Sequence, residues 1–104
     1  MGFKIEQVLN NMLDAASEEV LDGWQDIKPC VELALQDEKD ALQDIVQAYE
    51  AGDLTNEDLE SQLEDEKVAL ETALLVCRIK TKVMAQNAAN AAINALTAAI
   101  RLAI

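Results

Sequence analysis

The chain has 104 residues, which suits one small domain, and 51% of them are hydrophobic although only three are aromatic. Its formal net charge of −12 at pH 7 makes a surface that repels phosphate backbones and anionic headgroups, which argues against binding to nucleic acid or to a membrane surface. With one proline and three glycines, the sequence is dominated by strong helix formers and predicts an all-α protein.

No segment has the composition of a targeting or membrane-spanning sequence. The first residues lack a basic segment followed by an apolar one, which is the pattern of a signal peptide. The longest uncharged run, residues 83–100, carries five amide or hydroxyl side chains, and such groups are unfavourable in hydrocarbon. We therefore expect a cytoplasmic protein that does not bind or span a membrane.

Two helices are predicted in the first half of the chain, helix A over residues 3–22 and helix B over residues 27–51. Apolar residues recur at helical spacing in helix A, and Gly23 is a suitable residue to follow its C-terminus. Asp26 is placed to cap helix B. Pro29 is expected in its first turn, where a missing N–H breaks no internal hydrogen bond.

Helix C is predicted as one continuous helix over residues 55–103. Gly52 separates it from helix B, and Thr55 followed by acidic residues is typical of a helix N-terminus. Its core-phase residues have the alternating 4-3 spacing of helices that pack lengthwise, and no Gly or Pro follows. A helix of this length measures about 70 Å at 1.5 Å per residue.

Mirrored features predict that the chain doubles back at Gly52. The sequence Asp-Glu-Lys-x-Ala-Leu occurs at residues 37–42 and again at residues 65–70. Position 52 is the midpoint between Glu38 and Glu66. Cys30 and Cys77 share nearly the same midpoint. We therefore predict a long antiparallel hairpin in which helices A and B, end to end with a kink between them, lie along helix C.

A compact bundle is the alternative to the long hairpin. In that fold helix A turns aside to make a three-helix or four-helix bundle, and helix C is broken near Gln86. The distribution of charge agrees with the hairpin, because residues 1–66 carry 19 acids and 3 bases whereas residues 67–104 carry 1 acid and 5 bases. The two parts should attract each other.

The last part of helix C is unusually apolar. One narrow polar stripe runs along it, formed by Asn87, Asn90, Asn94, Thr97 and Arg101. Nearly all other positions there are Ala, Leu or Ile, and a single partner helix cannot cover them. We therefore expect two copies of the hairpin to form a homodimeric four-helix bundle. The residues expected at that interface are Ala88, Ala92, Ala95, Leu96 and Ala99.

Glu38 and Glu66 are the candidate metal ligands. Each occupies a core-phase position, and the hairpin sets them opposite each other, so they can share a proton, pair with Lys39 or Lys67, or bind Mg²⁺ or Ca²⁺. The chain has no histidine, so a redox di-iron site is not expected. We favour structural glutamates, held by salt bridges or water, over the metal site, and we expect no resident cofactor.

Cys30 and Cys77 are expected on facing sides of helices B and C. This placement permits a disulfide if their Cα atoms lie within about 7 Å. In a reducing cytoplasm, however, we expect two packed free thiols, and the disulfide is the alternative. Two cysteines are too few for a structural zinc site.

Residues 37–67 form an acidic tip that carries 12 acids and 2 bases. Such a surface attracts a basic protein, and the candidate contact residues are Asp40, Asp44, Glu57 and Glu60. We favour a solvated helical face that keeps the chain soluble, and the partner-binding surface is the alternative.

No complete catalytic motif is present, so we expect a protein that is not an enzyme. The favoured hypothesis is a self-associating helical protein that acts in scaffolding or protein–protein interaction. The alternatives are a carboxylate metal-binding bundle and an acidic inhibitor or chaperone of a basic partner.

Overall fold

The chain forms four α-helices over the residues that the computed structural model describes, which are residues 4–20 and 23–103. The helices are α1 (Ile5–Ser17), α2 (Trp24–Glu50), α3 (Asn56–Val76) and α4 (Lys82–Ala103). No strand occurs in these ranges, so the all-α prediction is confirmed.

The four helices pack as a closed bundle in chain order. α1 contacts α2, α2 contacts α3, α3 contacts α4, and α4 returns to contact α1. Short connections between the helices give an up-down-up-down arrangement. The described residues extend over 40 × 24 × 19 Å, so the predicted hairpin of about 70 Å is wrong. A single chain therefore builds a four-helix bundle by itself.

The core is aliphatic and rich in alanine, as the composition requires. Its fully buried large side chains include Met12 on α1, Leu42 on α2 and Leu70 on α3. α4 contributes a stripe of alanines without exposed surface, namely Ala85, Ala88, Ala89 and Ala92. Small side chains at a helix contact reduce the distance between the helix axes, which lets α4 lie close to its neighbours. None of the described helices combines the length and the hydropathy needed to cross a membrane.

The predicted helix C is interrupted between α3 and α4, and its continuity is therefore wrong. α3 ends at Val76, and Arg78 takes a left-handed conformation with φ 66°, which turns the chain out of the helix. The Thr81 hydroxyl accepts a hydrogen bond from the Met84 N–H at 3.0 Å and so caps α4. The alternative bundle placed the break near Gln86, which lies inside α4. Burial of the apolar face of α4 within the same chain outweighs the strain at Arg78, which is about 1–2 kcal/mol.

Helix A does not continue end to end into helix B. α1 ends at Ser17, and the predicted ends of helix A at residues 3 and 22 lie outside the described residues. α1 lies beside α2, as one contact between them shows. The Lys39 ammonium on α2 donates to the Glu6 carboxylate at the start of α1. The first connection therefore reverses the chain, where a kink was predicted.

α2 begins earlier than helix B was predicted to begin. Gly23 has φ 78° and directly precedes the helix, which starts at Trp24 without a side-chain cap. Asp26 lies in the first turn, where its charge suits the helix dipole, but it does not cap the helix. Pro29 lies in the second turn, where the missing N–H removes one helical hydrogen bond.

A tight turn joins α2 to α3. Gly52 has φ 84°, which glycine adopts without strain, and the Asp53 N–H donates to the Ala48 carbonyl at 2.9 Å. A capping box then starts α3: the Thr55 hydroxyl accepts from the Asp58 N–H at 3.1 Å, and the Asp58 carboxylate accepts from the Thr55 N–H at 3.2 Å. The acidic residues after Gly52 thus stabilise the start of a helix.

Candidate binding surfaces

The residues predicted at a dimer interface belong largely to the core of one chain. Ala88, Ala92 and Leu96 have no exposed surface, and Ala95 and Ala99 are partly buried against the same core. The prediction that a second copy must cover the first three residues is therefore wrong. The break before α4 lets α1 and α3 cover the apolar face that a continuous helix C would have left open.

The four candidate contact acids all remain on the surface. Asp40 and Asp44 are exposed one turn apart on α2, and Glu57 and Glu60 are exposed near the start of α3. None of the four makes a side-chain hydrogen bond or an ion pair with another described residue. Their charges are therefore available to a partner or to solvent.

A groove of about 650 Å³, here called the α3–α4 groove, runs between these two helices. Its buried apolar floor is formed by Leu59, Leu63, Ile93 and Ile100. The wall on α4 is formed by Asn90, Asn94, Thr97 and Arg101, and the wall on α3 by Glu60, Glu64 and Lys67. At one end the Tyr49 hydroxyl donates a hydrogen bond to the Asn56 amide oxygen.

The wall on α4 is part of the polar stripe seen in the sequence. The side chains of Asn90 and Asn94 are exposed and make no hydrogen bond to another residue of the described ranges. Thr97 bonds back to the Ile93 carbonyl at 3.0 Å within its own helix. Sequence reasoning identified the stripe but missed the groove, because the facing wall depends on where helix C breaks.

Glu38 and Glu66 meet between α2 and α3, where both side chains are partly buried. Burial, together with the adjacent Glu66 carboxyl, raises the pKa of Glu38 to about 7. One carboxylate oxygen of Glu66 is buried without a hydrogen-bond partner in the described structure. Lys39 and Lys67, the possible partners, pair with Glu6 and Glu64 instead. The two carboxyls are therefore placed to share one proton.

The carboxyl pair lacks the further ligands that a metal ion requires. Among the described residues, no group of three or more His, Cys, Asp or Glu side chains is placed to hold a metal. Mg²⁺ and Ca²⁺ take six or more oxygen ligands, so most of the coordination sphere at Glu38 and Glu66 would have to come from water. The geometry favours the shared proton over the metal ion.

The carboxyl pair predicts a pH-dependent stability. Because the pKa of Glu38 is raised in the folded state, its contribution to the free energy of unfolding is greatest below about pH 4.5 and is lost as the pH rises through about 7. The Glu38→Gln variant keeps the shape and cannot ionise. At pH 8 we expect it to be more stable than the unmodified chain by roughly 1 kcal/mol, a value reduced for solvent screening, as measured by urea denaturation.

Glu32→Gln is the matched control, because Glu32 is an exposed acid on the same helix and the charge change is identical. The control should retain the pH dependence of the unmodified chain between pH 4.5 and 8. If Glu38→Gln retains it as well, the carboxyl of Glu38 does not carry the predicted proton.

Cys30 and Cys77 are joined by a disulfide, with their Cα atoms 5.7 Å apart, so the expectation of packed free thiols is wrong. The bond links the first part of α2 to the residue that follows α3. Cys77 is buried and Cys30 is partly exposed. A second cavity of about 480 Å³ adjoins the bond and is lined by both cysteines and by the α3–α4 connection.

Comparisons of the chain with protein-family models, with curated proteins and with solved structures find no match.

Proposed function

We propose that the protein is a non-catalytic helical bundle that binds a basic protein partner. The observation that carries this proposal is the exposed and unpaired state of Asp40, Asp44, Glu57 and Glu60 on a chain with a net charge of −12. Unpaired charges of one sign raise the rate at which an oppositely charged partner is captured and disfavour partners of the same sign. Nucleic acid and anionic membranes belong to the disfavoured class.

The chemistry of the side chains supports a role without catalysis. The chain has no histidine, the usual general base near neutral pH. Its two cysteines are bonded to each other, so neither supplies a thiolate nucleophile. The carboxyl pair at Glu38 and Glu66 lies between two helices and lines neither cavity.

Self-association is the second candidate function. It is favoured by an exposed apolar surface on α3, not by the α4 surface predicted from the sequence. Val68 and Leu75, one heptad apart on α3, are 54% and 40% exposed, and Val76 is 77% exposed. Isolated apolar side chains are common on protein surfaces, whereas neighbouring ones on one helix are typical of contact sites. The mass of the unmodified chain in solution tests this candidate, because a mass of 11.4 kDa, that of one chain, would remove it.

The disulfide bears on the cellular location. Disulfides persist in oxidising compartments and are rare in the cytosol, where thiols are kept reduced. The bond between Cys30 and Cys77 therefore favours an oxidising location over the cytoplasmic one expected from the sequence.

Neutralising the acidic surface tests the proposed function. In affinity capture from the source cells, we expect the unmodified chain to retain a basic protein that the variant D40N/D44N/E57Q/E60Q retains at least tenfold less. Salt should weaken the capture, because the attraction is between exposed charges.

The matched control removes the same number of charges elsewhere. Asp14, Glu18, Glu19 and Glu32 are exposed acids outside the proposed surface, and the variant D14N/E18Q/E19Q/E32Q should capture the partner nearly as well as the unmodified chain. Equal loss in both variants would show a general effect of net charge, and no loss in either would remove the proposal.

A further inference from the structure

The connection between α3 and α4 holds backbone strain that a helical conformation would release. Residues 77–81 separate Val76, the last residue of α3, from Lys82, the first residue of α4. Within this segment Arg78 has φ 66°, which is unfavourable for any residue that carries a Cβ atom. No glycine or proline follows Gly52 in the chain, so the segment can also adopt a helical conformation.

A helical connection would separate α4 from the rest of its own chain. α3 and α4 would then form one helix from Asn56 to Ala103, about 70 Å long, whereas the described residues extend over 40 Å. The buried face of α4, which includes Ala88, Ala92 and Leu96, would lose its contacts with α1 and α3. Exposure of this apolar surface is unfavourable, so one chain on its own keeps the strained connection.

Two chains can release the strain without exposing the core. If both change in the same way, each α4 fits the surface that the partner's α4 has left on α1 and α3, and the same residues remain in contact. The disulfide is retained, because Cys30 and Cys77 join α2 to the end of α3 in one chain, and the pairing of these helices does not change. The remaining cost is the association of two chains, which a high protein concentration offsets.

Two exposed valines beside the connection suit this arrangement. Val76 is 77% exposed and Val83 is 62% exposed in the single-chain bundle. In a continuous helix they are one heptad apart and lie on the same face. They also lie at nearly equal distances on either side of residue 79, the centre of the connection. Two antiparallel helices that cross at this centre would therefore place Val76 beside Val83 of the partner subunit, where both become buried.

We propose that two copies of the chain exchange α4 through residues 77–81. In the resulting dimer, α3 and α4 of each chain form one continuous helix, and Val76 packs against Val83 of the partner subunit. The inference goes beyond the proposed function, since no basic partner takes part in the exchange. It also differs from association through Val68 and Leu75, which leaves each bundle closed.

Concentrating the unmodified chain tests the exchange. The protein is incubated at about 1 mM, where association is favoured, and in about 0.15 M salt, which screens the repulsion between two acidic chains. Size-exclusion chromatography with light scattering then gives the masses present. We expect a fraction with the mass of two chains, each of 11.4 kDa. This fraction should persist on dilution, because α4 must detach before the two chains can separate.

Two variants separate the backbone strain at Arg78 from the effect of its side chain. Glycine adopts φ 66° without strain and disfavours a helical connection, so R78G should lower the dimerisation constant at least tenfold. Alanine keeps the strain and favours the helix, so R78A should form at least as much dimer as the unmodified chain. Equal dimerisation of R78G and R78A would overturn the proposal, because the strain would then play no part.

The variant V76S/V83S tests the new contact between the two chains. Both valines are exposed in the single-chain bundle, so the melting temperature of the monomer should change little, whereas the dimerisation constant should fall about tenfold. V68S/L102S is the matched control, because it also removes two exposed apolar side chains, both outside the connection. It should dimerise like the unmodified chain.

The outcomes distinguish the exchange from the other proposals. A dimer that is lost in V68S/L102S and kept in V76S/V83S forms between closed bundles and overturns the exchange. A mass that stays at 11.4 kDa at about 1 mM overturns it as well. Neither result affects the proposed function, which is measured separately by the capture of a basic protein.

Discussion

Ala92→Glu is expected to unfold most of the bundle or to lower its melting temperature by about 15 °C or more. Ala92 has no exposed surface, and the core around it is aliphatic. A glutamate there is buried without a partner, which destabilises a protein by roughly 3–5 kcal/mol, against a total stability of about 5–15 kcal/mol for a domain of this size. Circular dichroism during heating gives the melting temperature.

Ala98→Glu is the matched control, because Ala98 is exposed on the same helix. We expect its melting temperature to stay within a few degrees of the unmodified value. The same experiment tests the prediction from the sequence that Ala92 lies at a dimer interface. If Ala92→Glu stays folded and only the mass measured by light scattering falls, Ala92 lies between two chains and the single-chain bundle is wrong.

Removal of the disulfide is expected to lower the free energy of unfolding by about 4 kcal/mol. The bond closes a loop with a sequence separation of 47 residues. The expected loss of about 4 kcal/mol is the stabilisation that follows from the entropy such a loop removes from the unfolded chain. The variant C30A/C77A avoids free thiols and keeps small apolar side chains at both positions. Urea denaturation in the absence of reductant measures the difference.

A reducing agent provides the control for this prediction. Dithiothreitol should destabilise the unmodified chain to about the level of C30A/C77A and leave the variant unchanged. If the unmodified chain loses less than about 1 kcal/mol on reduction, the bond is either absent in solution or contributes little. Mass spectrometry after alkylation separates these two explanations.

The features next to the central turn could be inferred from the sequence because they depend on one local reversal. Gly52 and the Thr55 capping box define the turn, and positions at equal distance from it meet on adjacent helices. The structure accordingly joins Cys30 to Cys77, which were expected on facing sides. Only the pairing of α2 with α3 is needed for this result.

The break after Val76 could not be inferred with the same rules. No Gly or Pro marks it, and the heptad spacing continues through Cys77. The available signals were weak: the β-branched Ile79, and Thr81, which lies three residues before the N–H that it caps. Propensity favoured a continuous helix, and tertiary burial overrode it.

The apolar surface of α4 was recognised correctly as needing more than one neighbour, but the source of those neighbours was mistaken. A second copy was expected, whereas α1 and α3 of the same chain supply them. The α3–α4 groove follows from the same event, since it exists only where α4 folds back beside α3. Its two walls lie more than twenty residues apart in sequence, and no local pattern relates them.

The disulfide also divides the bundle mechanically. Residues 30–77 form a covalent ring, closed by the sulfur bond at one end and by the turn at Gly52 at the other. A stretching force applied through α1 and α4 peels these two helices away and then passes directly across the sulfur atoms. The turn and the parts of α2 and α3 inside the ring bear none of that load while the disulfide is intact.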